Sequence, residues 1–265
     1  MTKKLQSIIS KLSPAITLAI VVLIWAAATG FDLVPSFMLP SPQSVFEAFV
    51  GDFPLLMQHA AVTLTEAFAG LLLGVVLAFV LATLMDRFNL LYKAFYPLLV
   101  ITQTVPTIAV APLLVLWQGF GMAPKITLVV ITTFFPIAVS LLDGYRCADQ
   151  DAINLLRSMG AGRMRIFRYI KLPSAVGSFF AGLKVSASYA VVGAVIAEWL
   201  GGFEGLGVYM TRVRKAYAFD KMFSVIIFIT LISLLLMWGV TLLKKVCMPW
   251  EKKEKEKLIV QGWNR

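Results

Sequence analysis

Five stretches of this chain, residues 12–31, 67–85, 94–124, 126–142 and 222–243, contain no Asp, Glu, Lys or Arg. A helix needs about 20 mainly apolar residues to cross about 30 Å of hydrocarbon, where the backbone must satisfy its own hydrogen bonds. Runs this long read as membrane-crossing helices, because barrel strands would alternate over segments of about 10 residues. A sixth run, 172–197, carries a single charge, Lys184. Composition agrees: mean hydropathy is +0.85 and 14% of residues are charged, against about 25% in soluble domains. The expectation is an all-α polytopic membrane protein. One domain, 1–265, should hold six transmembrane helices over about 12–31, 61–85, 94–118, 126–145, 173–198 and 222–243.

Basic residues set the orientation. Lys3, Lys4 and Lys11 precede the first span, Arg87 and Lys93 follow the second, six lie between the fourth and fifth, and seven follow the sixth. Of 24 Lys and Arg, 18 fall on this side and five on the other, namely Lys125, Arg212, Arg214, Lys215 and Lys221. Basic loops stay cytoplasmic, so both termini are expected inside, with a cytoplasmic segment over 149–171 and a tail over 244–265. The stretch EKKEKEK, 251–257, mixes both signs and reads as a solvated end. The net charge of +10 is divided among membrane-flanking segments, with no basic patch interleaved with aromatics. It reads as topology signals and contact with anionic lipid rather than nucleic-acid binding. The N-terminal lysines, apolar run and Ala26-Ala27-Ala28 imitate a signal peptide, but the run exceeds the about 7–15 residues of such segments and reads as a retained span. Cys147 and Cys247 fall on expected cytoplasmic edges, so no disulfide is expected.

Polar and small residues within the runs mark internal surfaces. In the outer segment SFMLPSPQSVFEAFVGDFP, Pro40 and Pro42 block helix, Ser44 can cap, and Val45, Phe46, Phe49 and Val50 form one apolar face of a short interfacial helix. Gly70 and Gly74 form a GxxxG pair suited to close helix approach. The third run holds Pro97, Pro106 and Pro112. As a straight helix its 31 residues would be roughly 46 Å long, so it must tilt, kink or break. Irregular backbone at that depth is tolerated only against protein or a watery cavity. Gln103, Thr104, Pro106 and Thr107 are therefore read as lining a translocation path, joined by Ser186 and Tyr189 from the small-residue-rich fifth span. Glu66 and Lys184 are the intramembrane charges. Lys184 must pair, meet water or snorkel; Glu66 is its partner if the depths match, and snorkelling is the usual way out.

Catalytic chemistry is missing. His59 is the single histidine, so HExxH and multi-histidine metal sites are excluded, and it reads as an interfacial polar residue. There is no GxSxG elbow, no cysteine pair at metal-ligand spacing and no pair of acids within one span. The four glycines of LGGFEGLG, residues 200–207, make a tight outer turn rather than a phosphate cradle, since no Gly-Lys-Ser/Thr follows. The basic RVRK, 212–215, is expected in the loop to the last span. No enzyme activity, metal or cofactor is expected, and any energy source must lie in another chain.

The segment 149–171 is the chain's basic, glycine-broken stretch. It is expected to form two short helices hinged at Gly160. Asp149 or Asp151 caps the first, whose apolar side is Ile153, Leu155, Leu156 and Met159, and the second carries Met164, Ile166, Phe167 and Ile170 among arginines. Physics alone leaves two readings, a helix pair lying on lipid and a knob gripped by a soluble partner.

Gly160, nine residues, Ile170, one residue, then Leu172-Pro173 resembles the EAA-loop signature of binding-protein-dependent ABC importer permeases. The Glu-Ala-Ala half of that signature is here Asn154-Leu155-Leu156, so only the second half matches. LPSP at 39–42, VPTIAVAPLLVLWQGFG at 105–121 and AEWLGGFEGLG at 197–207 resemble the branch importing nitrate, sulfonates, taurine and thiamine-pyrimidine precursors. The resemblance covers about residues 39–243. It implies the type I (MetI-like) permease fold, multi-pass in a prokaryotic plasma membrane and dimerised with a second copy of itself. An ATP-binding subunit would be coupled through Met159, Gly160, Ala161, Arg163, Leu172 and Pro173, and an extracytoplasmic solute-binding protein would dock outside. FFPIAVSLLDG and EWLGG with GLGVYM look closest to permeases for hydroxymethylpyrimidine-type thiamine precursors; an alkanesulfonate, taurine or nitrate permease is the alternative. An ion-coupled secondary transporter, with Glu66 and Lys184 as its coupling pair, is the rival from another class, and an intramembrane enzyme is disfavoured by the missing residues.

Overall fold

The computed structural model describes residues 3–249; the mixed-charge end at 251–257 lies outside them. The helices are α1 (Lys3–Gly30), α2 (Pro42–Gly51), α3 (Phe53–Arg87), α4 (Asn89–Thr104), α5 (Thr107–Gln118), α6 (Met122–Arg146), α7 (Gln150–Ser158) and α8 (Arg163–Ile166). A π-helical turn, Phe167–Lys171, then leads into α9 (Leu172–Gly201), and α10 (Leu206–Lys215) and α11 (Phe219–Cys247) follow. Among the described residues there are five helices long and apolar enough to cross a membrane, or six if the bent pair α4–α5 counts as one crossing.

Contacts between α3 and α6 fix the direction of the whole bundle. Gly70 faces Val129 and Gly74 faces Thr133, close enough that a methyl group at either glycine would come within 2.5 Å of the opposing side chain. Farther along, Thr83 and Tyr145 hydroxyls are 3.2 Å apart. Both residue numbers rise together, so α3 and α6 run parallel. The expected GxxxG contact exists, and its partner is α6 of the same chain. Helix α9 runs antiparallel along α6: Gly193 meets Thr132, Gly182 meets Pro136 and Ser140, and Ala175 meets Gly144. Its small residues are what permit that approach. Helix α11 returns beside α9: Val240 shares one apolar cluster with Phe180 and Ala187, and Val225 shares another with Val191 and Val195.

Two parallel neighbours require the chain between them to travel back along the bundle, and α4–α5 does this with a bend of 102°. The third run therefore breaks rather than tilts. Val105 (φ −79°, ψ 122°) and Pro106 (φ −62°, ψ 115°) are both extended. Proline disfavours a helical residue before it and brings no N–H, so the two positions together end one helix and start the next. Pro97 and Pro112 stay inside α4 and α5 without breaking them.

Three local expectations are corrected. The cap of α2 is Ser41, whose Oγ accepts from Ser44 N at 3.2 Å, and Pro42 sits in the first turn, where the missing N–H costs nothing. Of the expected apolar face of α2, Val45 is buried and Phe49 packs on Phe228, while Phe46 and Val50 are exposed. The RVRK stretch lies in helix α10 rather than a loop, and α10 is held by buried Leu206, Val208, Tyr209 and Val213. Helix α1 stands apart: from Leu12 onward none of its residues is buried. Trp25 anchors it, donating Nε1–H to Pro40 O at 2.9 Å and lying 6.2 Å from the ring of Phe223.

Candidate functional site

Beyond the ends of α3, α6 and α11, residues 147–171 form a protrusion with its own small core. Asp149 caps α7, its carboxylate accepting from Asp151 N at 2.9 Å and Ala152 N at 3.4 Å. Helix α7 ends at Met159, and Gly160 takes φ +78° with open space around its Cα. Gly160 N donates to Arg157 O at 3.0 Å and Ala161 N to Leu156 O at 2.9 Å. These two bonds are the Schellman pattern, which requires a left-handed residue at this position. Glycine is thus selected by backbone angle and not by crowding. Ala148, Ile153 and Ile166 form the core, with Leu156, Ala161 and Ile170 against it. Leu155, Met159, Met164 and Tyr169 are left exposed, so Leu155 and Met159 belong to the outer surface of the pair and not to its inner side.

The sequence-designated coupling residues gather here. Met159, Gly160 and Ala161 form the turn, Arg163 opens α8 and is exposed, and Leu172 and Pro173 begin α9. Helical backbone angles continue from Ile166 through Lys171 to Leu172. The protrusion's second arm and α9 are therefore one continuous helical rod. Lys171 ties it to α3 with Nζ 2.7 Å from Asp86 Oδ1 and 2.9 Å from Oδ2.

At the elbow, Gln103, Thr104 and Pro106 are exposed and Thr107 half-buried. Tyr189 is exposed on α9, whereas Ser186 is fully buried and donates to Thr133 O at 2.8 Å. Ser186 therefore ties α9 to α6 and faces no open surface, because an unpaired hydroxyl in that contact would be costly and the carbonyl of Thr133 is in reach.

The intramembrane charges are arranged differently from expectation. Glu66 is fully buried and its Oε1 lies 2.6 Å from Lys125 Nζ, with Lys125 itself 5% exposed. Lys125, counted from sequence among cations outside the membrane, stands within the first turn of α6, and the parallel register of α3 and α6 brings it to Glu66. Lys184 is exposed on α9, and no ion pair links it to Glu66. Of the three outcomes open to Lys184, pairing with Glu66 is therefore the one not taken.

A second acid joins the cluster from another helix. Buried Glu198 of α9 accepts from Thr63 Oγ1 at 2.7 Å and from Gly207 N at 2.6 Å. Leu206 N donates to Thr63 Oγ1 at 2.9 Å and Gly205 N to His59 Nδ1 at 3.0 Å. His59 accepts at Nδ1, so its ring is neutral with the proton on Nε2. Three successive amides of the glycine turn are thus held by side chains of α3 and α9, and Gly205 (φ +120°) leaves no room for a side chain against the Glu198 carboxylate. The expected tight turn is present, and it is a capping structure for buried polar groups. Sequence reading missed Glu198 because the two acids sit on different helices; the polar series His59, Thr63, Glu66 at helical spacing was the available signal.

At the same end of the bundle, Asp52 accepts from Tyr209 Oη at 2.6 Å and pairs with Lys221 at 2.8 Å. Burial pushes the Asp52 carboxyl up, but the hydrogen bonds from Lys221 and Tyr209 outweigh it and hold the group below its ordinary value. Burial, with Asp52 beside it, raises the Tyr209 phenol. The clamp joins the start of α3 to α10 and α11. Among the described residues no cluster of His, Cys, Asp and Glu suited to a metal ion occurs.

The family model for "Binding-protein-dependent transport system inner membrane component" matches residues 70–246. A probable ABC transporter permease protein of Haemophilus influenzae is 35% identical over 229 residues, covering 86% of this chain and 94% of that one. The formylaminopyrimidine transport permease protein ThiX of Halalkalibacterium halodurans is 34% identical, covering 92% and 97%. The taurine transport system permease protein TauC of Escherichia coli is 28% identical, covering 88% of each. Among solved structures, the inward-facing MetNI methionine ABC transporter superposes with a TM-score of 0.65 at 19% identity, covering 73% of this chain and 96% of that one. The match of the family model over two thirds of the chain, with relatives 34–35% identical along most of its length, shows that the chain belongs to the binding-protein-dependent inner membrane permeases of type I ABC importers.

Proposed function

We propose that this permease carries a hydroxymethylpyrimidine-type thiamine precursor, working as a homodimer with both termini in the cytoplasm. The observation that carries the substrate reading is the similarity to the formylaminopyrimidine permease along 92% of the chain. The family implies an ATP-binding subunit and a solute-binding protein as partners. The ATPase grips the protrusion, with Met159 and the Gly160 turn as the contact and Arg163 beside it. Leu172 and Pro173 pass its displacement into α9. Gln103, Thr104, Pro106, Thr107 and Tyr189 line the path at the elbow between two copies. This arrangement is supported by the exposure of Leu155, Met159 and Met164 on a rigid, separately packed protrusion.

The taurine permease relative favours a second reading, a sulfonate, taurine or nitrate substrate. The ion-coupled alternative loses its coupling pair, since Glu66 is engaged by Lys125. Reconstitution in liposomes with the ATP-binding subunit and binding protein tests both substrates. Labelled aminopyrimidine should accumulate only with ATP and all partners, and the permease alone should move nothing. Accumulation of taurine in preference to the pyrimidine would replace the first reading with the second.

A further inference from the structure

A cavity of about 700 Å³ opens where the protrusion folds back under the ends of α3 and α6. Five cations line it, Arg87, Arg146, Arg157, Arg163 and Lys171, against one carboxylate, Asp86. They come from α3, α6, both arms of the protrusion and the π-helical turn that leads into α9. Lys171 satisfies Asp86, and Arg146 lies 3.9 Å over the ring of Tyr92. Among the described residues, Arg87, Arg157 and Arg163 take part in no ion pair. Asn89 adds an amide donor to the wall.

We infer that this cavity binds a phosphate group, and that its natural source is the headgroup of an anionic phospholipid. A lining that carries three unpaired guanidinium groups is chemically matched to phosphate, which accepts their paired N–H donors. A surplus of positive charge of this size in one cavity is otherwise a source of mutual repulsion between α7, α8 and the helix ends. The lipid source follows from the surroundings of the mouth. Leu84, which lines the cavity, and Phe88, Leu90 and Phe95 beside it are large apolar side chains exposed at the surface. A ligand with a phosphate head and acyl tails covers both features at once, and basic pockets between transmembrane helices at the cytoplasmic face are sites of this kind. Bound there, the phosphate bridges Arg87 and Arg146 of the bundle to Arg157 and Arg163 of the protrusion. It braces the protrusion against the membrane-embedded helices whether or not an ATPase grips its outer surface.

The test uses the purified full chain in neutral detergent, mixed with phosphatidylglycerol or phosphatidylcholine and read by native mass spectrometry. Phosphatidylglycerol should be retained and phosphatidylcholine not. Arg87→Gln and Arg157→Gln should each weaken retention about fivefold, Arg157→Lys should restore most of it, and Arg214→Gln, on the far end of the bundle, should have no effect. A second arm measures the melting temperature with pyrophosphate and no lipid. A rise that Arg157→Gln abolishes, without lipid retention, assigns the same phosphate site to a soluble ligand. Absence of both selective retention and a pyrophosphate shift, or equal responses in the wild type and both Gln variants, overturns the inference.

Discussion

The Glu66 carboxylate and the Lys125 ammonium stand 2.6 Å apart inside the contact between two parallel helices, and the second carboxylate oxygen of Glu66 has no hydrogen-bond partner among the described residues. Glu198 on α9 is held separately, by Thr63 and Gly207, so Lys125 and Glu66 depend on each other. Removing either partner leaves the other buried without compensation.

Lys125→Met should destabilise the bundle by about 3–5 kcal/mol, the cost of leaving a buried partner uncompensated. Glu66→Gln strands the buried ammonium and should cost a similar amount, whereas Glu66→Leu combined with Lys125→Met removes both charges and should cost clearly less than either. Thermal unfolding in detergent of these variants against the wild type measures the order, and a loss in the double variant as large as in Lys125→Met would contradict it.

Gly160→Ala should cost about 1 kcal/mol through the left-handed backbone alone, since nothing crowds the position. Gly160→Pro removes the N–H bonded to Arg157 O and cannot reach φ +78°, so the turn should be lost. Membrane insertion should persist in both. ATP-driven uptake and ATPase binding should survive in the first and vanish in the second. Wild-type uptake by Gly160→Pro would refute the docking role.

Asp52 titrates below its ordinary value in the folded state, so its contribution is present above a pH of about 4 and is lost as pH falls through the lowered value. Asp52→Asn should be less stable than the wild type at neutral pH, and the gap should close in acid. The raised Tyr209 acts in the opposite direction: its contribution is lost as pH climbs past about 10. Melting curves of both proteins between these limits supply the check.

Pro106→Ala restores an N–H and relaxes Val105, so α4 and α5 should become freer to join. Uptake should fall with little change in melting temperature, because both Val105 and Pro106 are exposed. A large loss of stability with normal uptake would show that the elbow only supports packing.

Much of this was legible in local sequence. Charge-free runs gave the long apolar helices, Gly160 gave the turn, and Asp149, one of the two candidate caps with Asp151, gave the cap, because each depends on residues within a turn or two. The 102° bend was foreshadowed by Pro106, yet its size is decided by the parallel packing of α3 and α6. The same packing turned Lys125 from an outer flanking charge into a buried partner, and Ser186 from a path residue into a tether on Thr133. Glu198 escaped notice because its partners Thr63 and Gly207 lie on other segments, and no periodicity within α9 reports them.

The rod running from Arg163 to Leu200 is held against α6 at three levels, Ala175 by Gly144, Gly182 by Pro136 and Ser140, and Gly193 by Thr132. A beam clamped to its neighbour at several points cannot bend alone. A push at the Arg163 end is therefore handed to α6 along the whole seam instead of being absorbed where it enters.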